Sequence, residues 1–208
     1  GMDFELSVYP GQNTYEKAKE HAAKAIELGC DVIIGVGGGR IMDQSKAAAY
    51  YGGVTLALPR GHMPVVQIPT SIATCAAFAP LSVMYTEEGA SLGSLRHNFE
   101  MDAILVDMDV IAKEPPRYVA SGILDGMSKM VEMQNGHDHI DIEEFDVGLV
   151  TAFTLAKYTM ETYKNRGMQA VKDVAEGKLT KAVEDIAYLN IAVAGIISGC
   201  SKGFGQTA

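Results

Sequence analysis

The chain is 208 residues long, 48% hydrophobic and 21% charged, the balance of a globular protein able to bury a sizeable core in one large domain or two small ones. Its net charge of −9 is spread evenly along the chain and argues against a general nucleic-acid-binding surface. Three cysteines, Cys30, Cys75 and Cys200, are too scattered for a disulfide framework or a metal spacing and read as reduced thiols of a cytoplasmic protein.

Gly1 reads as a cloning remnant ahead of a start methionine, and no basic start with an apolar stretch marks a secretory signal. Asn13-Thr14-Tyr15-Glu16 has capping-box spacing and predicts a helix to about Leu28, stopped by Gly29. Val32–Val36 predicts a buried strand, followed by a glycine turn and a helix to about Tyr51 that Gly52-Gly53 ends. Residues 54–63 read as an excursion, Val65–Ile68 as a strand ended by Pro69-Thr70, and Ser82–Thr86 as a short strand closed by a turn at Glu87-Glu88-Gly89. Ala103–Asp107 is a further predicted strand. Strand and helix in alternation imply a parallel sheet with helices on its faces.

The character changes at Lys113-Glu114-Pro115-Pro116, and the patterns after it are helical. Helices are expected from about Arg117 to Gln134, from Asp141-Ile142-Glu143-Glu144 to about Lys164, and from Thr180 to Ser198. The polar loop Asn135-Gly136-His137-Asp138-His139 separates the first two, and its histidines read as solvated. The most apolar run, Ile191 to Ser198, is too short to span a bilayer. The expected division is a partial nucleotide-binding α/β domain over residues 1–113 and a partial helical domain over 114–208.

The most informative stretch is Gly35-Val36-Gly37-Gly38-Gly39, running into Arg40-Ile41-Met42-Asp43-Gln44-Ser45-Lys46. Glycines let a bound group approach the backbone, and the helix start behind them offers free N–H groups and a positive dipole end, a place for a phosphate or pyrophosphate. Glycine turns of this kind also serve packing alone. The spacing is not G-x-G-x-x-G, because Arg40 stands where the last glycine belongs.

With Asp43 and Lys46, this loop resembles the G-G-G-K-x-x-D-x-x-K segment of the iron-containing alcohol dehydrogenase superfamily, in its glycerol dehydrogenase branch. Ile68-Pro69-Thr70, Thr74 and Leu81–Thr86 resemble its second cofactor segment, Leu105-Val106-Asp107 with Ile111-Ala112 its next strand and connection, and Ala120-Ser121-Gly122-Ile123-Leu124-Asp125 the opening of its helical domain. The resemblance implies a Rossmann-like sheet domain followed by an all-helical one, the dehydroquinate synthase-like architecture. It implies NAD or NADP across Gly37, Gly38, Gly39 and Arg40, with Asp43 at the ribose or amide region and Thr70, Thr74, Leu81, Val83 and Tyr85 along the groove. It implies zinc or iron on Asp125, polarising an alcohol or carbonyl oxygen.

The departures from that pattern carry information too. Arg40 replaces a lysine and presents a planar fork. Cys75, in Thr74-Cys75-Ala76-Ala77, stands where glycerol dehydrogenases carry a substrate-binding aspartate, and this version resembles the neighbouring hydroxycarboxylate branch, which acts on 2-oxo and 2-hydroxy acids. Relative to the family the chain is expected to be truncated at both ends, lacking an N-terminal strand–helix–strand unit and two histidine ligands beyond Ala208, so the metal site is incomplete. The implied function is an NAD(P)- and metal-dependent dehydrogenase acting on a small molecule, without nucleic-acid or membrane partners, working as a homo-oligomer or with a complementing chain at an exposed sheet edge. Two alternatives stay open: a non-catalytic remnant that binds a nucleotide or a partner chain, and a dehydroquinate synthase-like lyase.

Overall fold

The computed structural model describes residues 3–134 and 147–201. The polar loop with His137 and His139, the expected helix start at Asp141–Glu144 and the last seven residues lie outside these.

Helix α1 (Tyr15–Glu27) starts where Thr14 caps it, the Thr14 hydroxyl accepting the Lys17 N–H at 3.2 Å. Strand β1 (Ile33–Gly37) pairs in parallel with β2 (Val65–Pro69), and β2 with β5 (Ala103–Ile104), in sheet order β1-β2-β5. Between β1 and β2 runs α2 (Gly39–Thr55). It lies close on the sheet because Gly35 has no side chain: a Cβ there would meet Ser45 and Gln67. The buried Gln67 amide donates to Ser45 Oγ at 3.0 Å and to the Met42 carbonyl at 3.2 Å, pinning β2 to the helix.

Helix α2 does not end at Gly52-Gly53 but runs through both to Thr55. These glycines are packing residues. A Cβ on Gly53 would collide with the backbone of His62, and one on Gly52 with the Met63 thioether. The chain folds back so tightly that the Met63 N–H bonds the Ala49 carbonyl at 2.9 Å.

Strand β3 (Leu81–Tyr85) forms an antiparallel hairpin with β4 (Ser91–Arg96), a strand the sequence reading missed. Strand β5 is shorter than the expected Ala103–Asp107. Asp107 turns out of the sheet to cap α3 (Met108–Ile111), accepting the Asp109 N–H at 2.9 Å.

The rest of the described chain is helical. Helix α4 spans Pro116–Gln134. Helix α5 (Val147–Thr162) continues through a π turn (Tyr163–Gly167) into α6 (Met168–Ala175), well past the expected end at Lys164. Thr180 caps α7 (Lys181–Tyr188), which continues through a second π turn (Leu189–Val193) into α8 (Ala194–Cys200). The rod Lys181–Cys200 is long and apolar enough to cross a membrane, with a mean hydropathy of 1.4, but 61% of it is buried inside the protein. It packs against α4, α5 and α6 as a core helix. The largest core cluster joins Met42, Ile72 and Ile111 of the first half to Val119, Ile186 and Ile197 of the second. All three cysteines are free, Cys75 buried and the others half-buried.

On the outer side of the sheet, β1 leaves Ile34 and Val36 exposed. An open cavity of about 400 Å³ lies there, lined by β1, α1 and residues 5–9.

Two substitutions test the glycine packing. Gly53→Ala is expected to cost about 2 kcal/mol or more, because backbone blocks the new methyl, and Gly52→Ala less, because the Met63 side chain can yield. Urea melts of the two variants give the order.

Candidate functional site

The β1–α2 turn uses its three glycines for three different purposes. Gly37 has φ +154°, a conformation L side chains rarely adopt, and a Cβ there would press on Ile41 at 2.9 Å. Its carbonyl accepts the Thr70 N–H at 2.9 Å, which ties the end of β2 to the turn. Gly39 lies against Thr74, where a Cβ would sit 2.9 Å from the Thr74 methyl. Gly38 is the N-cap of α2, no side chain caps it, and nothing stands within 4 Å of where its Cβ would be. The free N–H groups of a 17-residue helix therefore open onto empty space.

That space is a groove of about 800 Å³. Of the residues expected from the sequence, Gly38, Gly39, Arg40, Thr70 and Thr74 line it together. Lys113, Glu114 and Tyr118 line it as well, and the sequence reading missed them. Their segment, Lys113-Glu114-Pro115-Pro116, was legible only as a change of character. Of the prolines that marked a boundary, Pro115 lines the groove and Pro116 begins α4. Glu114 is buried and accepts the Ile72 N–H at 3.3 and 3.4 Å. Burial pushes its carboxyl above the usual range, against the pull of Ser71 and the Ile72 N–H.

Leu81, Val83, Tyr85 and Asp43 do not line this groove. Asp43 points into the protein, where it accepts the Val83 N–H at 3.0 Å and pairs with Lys46 at 2.9 Å. Burial pushes its carboxyl up, and Lys46 opposes that. The fully buried Lys46 ammonium also donates to the carbonyls of Ala76 at 2.7 Å, Ala79 at 2.9 Å and Leu81. The Tyr85 N–H bonds the Asn13 carbonyl at 2.9 Å. Behind this region lies a second network that the sequence did not signal. The Ser82 hydroxyl donates to the Asp43 carbonyl at 2.8 Å and so accepts from His97 Nε2, also at 2.8 Å. His97 therefore carries a proton on Nε2. Burial first, then Lys46 and His62, pushes its pKa down to about 3. His62 stacks on Phe99 with ring centroids 3.9 Å apart.

Cys75 is buried 3.8 Å from Ser198 Oγ, and burial pushes its thiol up, so it is neither charged nor nucleophilic. Asp125, on α4, lies 3.7 Å from the Lys129 ammonium, which also pairs with Glu132 at 3.3 Å. Burial raises the Asp125 carboxyl, Lys129 lowers it and Glu132 raises it again. The charged neighbour nearest this carboxylate is thus a cation, and no group of three metal-ligating side chains occurs among the described residues. The described residues do not by themselves fit a metal ion.

The acid side of the stability curve tests the His97 network. In the unfolded chain His97 takes up a proton as pH falls through about 6.5, whereas in the folded chain it does so only near 3. Its contribution is fully present above pH 6.5 and is lost as pH falls between those values, by up to about 1.4 kcal/mol per pH unit. His97→Gln is expected to lose melting temperature more gently than the parent between pH 6.5 and 4, and parallel curves would count against the assignment.

Comparison with known proteins gives a consistent result. Residues 2–108 match the family described as iron-containing alcohol dehydrogenase. The chain is 31% identical to a glycerol dehydrogenase of Thermotoga maritima over 85% of its own length and 46% of that protein's. It is also 31% identical to hydroxycarboxylate dehydrogenase A of Escherichia coli, over 88% of its own length and 48% of that protein's. Among solved structures, a probable glycerol dehydrogenase from Sinorhizobium meliloti superimposes with a TM-score of 0.83 at 27% identity, covering 100% of this chain and 55% of the other. The chain spans about half the length of the curated relatives it matches.

Proposed function

The chain belongs to the iron-containing alcohol dehydrogenase family, and on that premise we propose that it supplies the cofactor groove of an oxidoreductase working between a nicotinamide cofactor and an alcohol or a 2-oxo acid. One observation carries the reading: Gly38, at the uncapped start of α2, leaves open the space a Cβ would fill. A diphosphate fits there, held by helix N–H groups, with Arg40 and Lys113 at the rim to balance its charge and the Thr70 and Thr74 hydroxyls to bond it. When bound, the nicotinamide supplies the hydride chemistry. The residues of this chain bind and orient it. Gly37 and Gly39 set the turn, and Asp43 holds β3 in place from behind.

Cys75 supports an anionic substrate. Its thiol is neutral, where a carboxylate would repel a 2-oxo acid. Asp125 is the proposed metal residue, and zinc or iron needs further groups from outside the described residues to complete the site. The exposed edge of β1, with Ile34 and Val36, is where a second copy or a complementing chain would pair. Residues 1–113 and 114–208 are taken as the cofactor half and the metal half of a cytoplasmic enzyme.

A second reading rests on the same metal comparison. With no group of three metal-ligating side chains among the described residues, the second reading is a remnant that binds a nucleotide or a partner chain without turnover.

Titration of the protein's fluorescence with NADH and NADPH, with and without zinc, tests both readings. Saturable NADH binding is expected. Gly38→Ala should keep the fold and weaken binding about tenfold, because its methyl enters the diphosphate site. Zinc-dependent affinity favours the enzyme, and zinc-independent binding favours the second reading. No binding, or equal affinity for Gly38→Ala, would overturn the groove assignment.

A further inference from the structure

Thr70 and Thr74 stand on a loop between β2 and β3 that has no regular structure of its own. Such a loop keeps its shape only if its buried peptide groups find partners. Ile72, in its middle, is fully buried, and its peptide groups are held from two directions. Its N–H goes to the Glu114 carboxylate. Its carbonyl accepts Asn190 Nδ2 at 2.8 Å, across 118 residues of sequence.

Asn190 is 1% exposed and lies in the second π turn. Its Oδ1 accepts the Tyr163 hydroxyl at 2.8 Å, and Tyr163 is the first residue of the other π turn. The Ile72 carbonyl can only accept, which fixes which way the amide faces. Oδ1 is then left to the Tyr163 hydroxyl, which donates to it. A reversed amide would set oxygen against oxygen. Helix α4 is cut away to admit both groups: a Cβ on Gly122 would strike the Ile72 carbonyl and the Asn190 amide, and one on Gly126 the Tyr163 hydroxyl. Two π turns, two small residues one helical turn apart and a buried amide thus converge on one peptide of the groove wall.

We propose that Asn190, braced by Tyr163, is a positioning residue for the cofactor groove: by holding the Ile72 carbonyl it fixes the loop that presents Thr70 and Thr74. It acts through Ile72 and touches no ligand itself. The consequence for the ligand rests on the groove reading above, while the consequence for the loop does not.

The test has two readouts at a temperature where every variant is folded: hydrogen exchange of the amides in residues 70–76, and the NADH dissociation constant. Tyr163→Phe keeps the ring and removes the hydroxyl. It should speed exchange across 70–76 and weaken NADH about threefold, and Asn190→Ala about tenfold. Thr159→Val removes another buried hydroxyl bond, to the Ala156 carbonyl, that has no path to the loop, and should change neither readout. If Asn190→Ala fails to fold, Tyr163→Phe decides the matter alone. Exchange at 70–76 and NADH affinity both within about twofold of the parent in Tyr163→Phe would overturn the proposal. Faster exchange in a chain that binds no NADH would keep the loop role and remove the groove reading.

Discussion

A buried ammonium organises the first half of the molecule. Lys46 has no solvent contact, and a charge without water is tolerable only when its hydrogens are all used. Three carbonyls from the stretch between the groove loop and β3, together with the Asp43 carboxylate, meet that demand. The requirement works in both directions. The ammonium needs the stretch at Ala76, Ala79 and Leu81 to curl around it, and that curl delivers β3 to Asp43. Since Asp43 and Lys46 are three residues apart on α2, one face of one helix anchors the hairpin, while the start of the same helix opens the groove. A group that binds at the start of α2 meets a helix already held rigid one turn further on.

The two halves of the chain share this logic of buried polar groups reaching across apolar surfaces. The core that joins Met42 and Ile72 to Ile186 and Ile197 gives area without direction. Direction comes from a few bonds with only one good geometry, such as Asn190 to the Ile72 carbonyl. A slide of the helices along the sheet would keep much of the apolar contact and lose those bonds.

Local signals were legible in the sequence, and distant ones were not. Thr14 and Thr180 cap helices because a hydroxyl beside a helix start has a partner three residues away. The strand and glycine turn at residues 33–39 read correctly for the same reason, but the strand is not buried as its apolar run predicts, since Ile34 and Val36 face out on the uncovered side of the sheet. Gly52-Gly53 misled because the backbone they accommodate, at His62, is brought there only by the completed fold. Strand β4 was missed because its serines and its glycine carry weak strand preference, and its pairing with β3 supplies what its own residues lack. Of the candidate site, Gly38, Gly39, Arg40, Thr70 and Thr74 were visible as motifs. Lys113 and Tyr118 were not, because a lysine and a tyrosine near two prolines have no pattern until the chain is folded across the groove. The resemblance picked out both Asp43 and Lys46, but not that they form a buried pair or that Asp43 reaches the Val83 N–H forty residues on.

The two π turns bear on how the helical half tolerates change in length. Each closes its turn with one residue more than an α-helix would, so each behaves as a single-residue insertion absorbed into a continuous rod. Removing one residue from Leu189–Val193 would restore regular winding and leave the helix downstream in phase, whereas one more residue wound regularly into it would rotate everything downstream by about 100°. Ser198 would swing away from Cys75, and Ile197 out of the core. The phase of the last helix is therefore set by the length of this segment rather than by its side chains. Length change there should be resisted as insertion more than as deletion, and substitution should be resisted at Asn190.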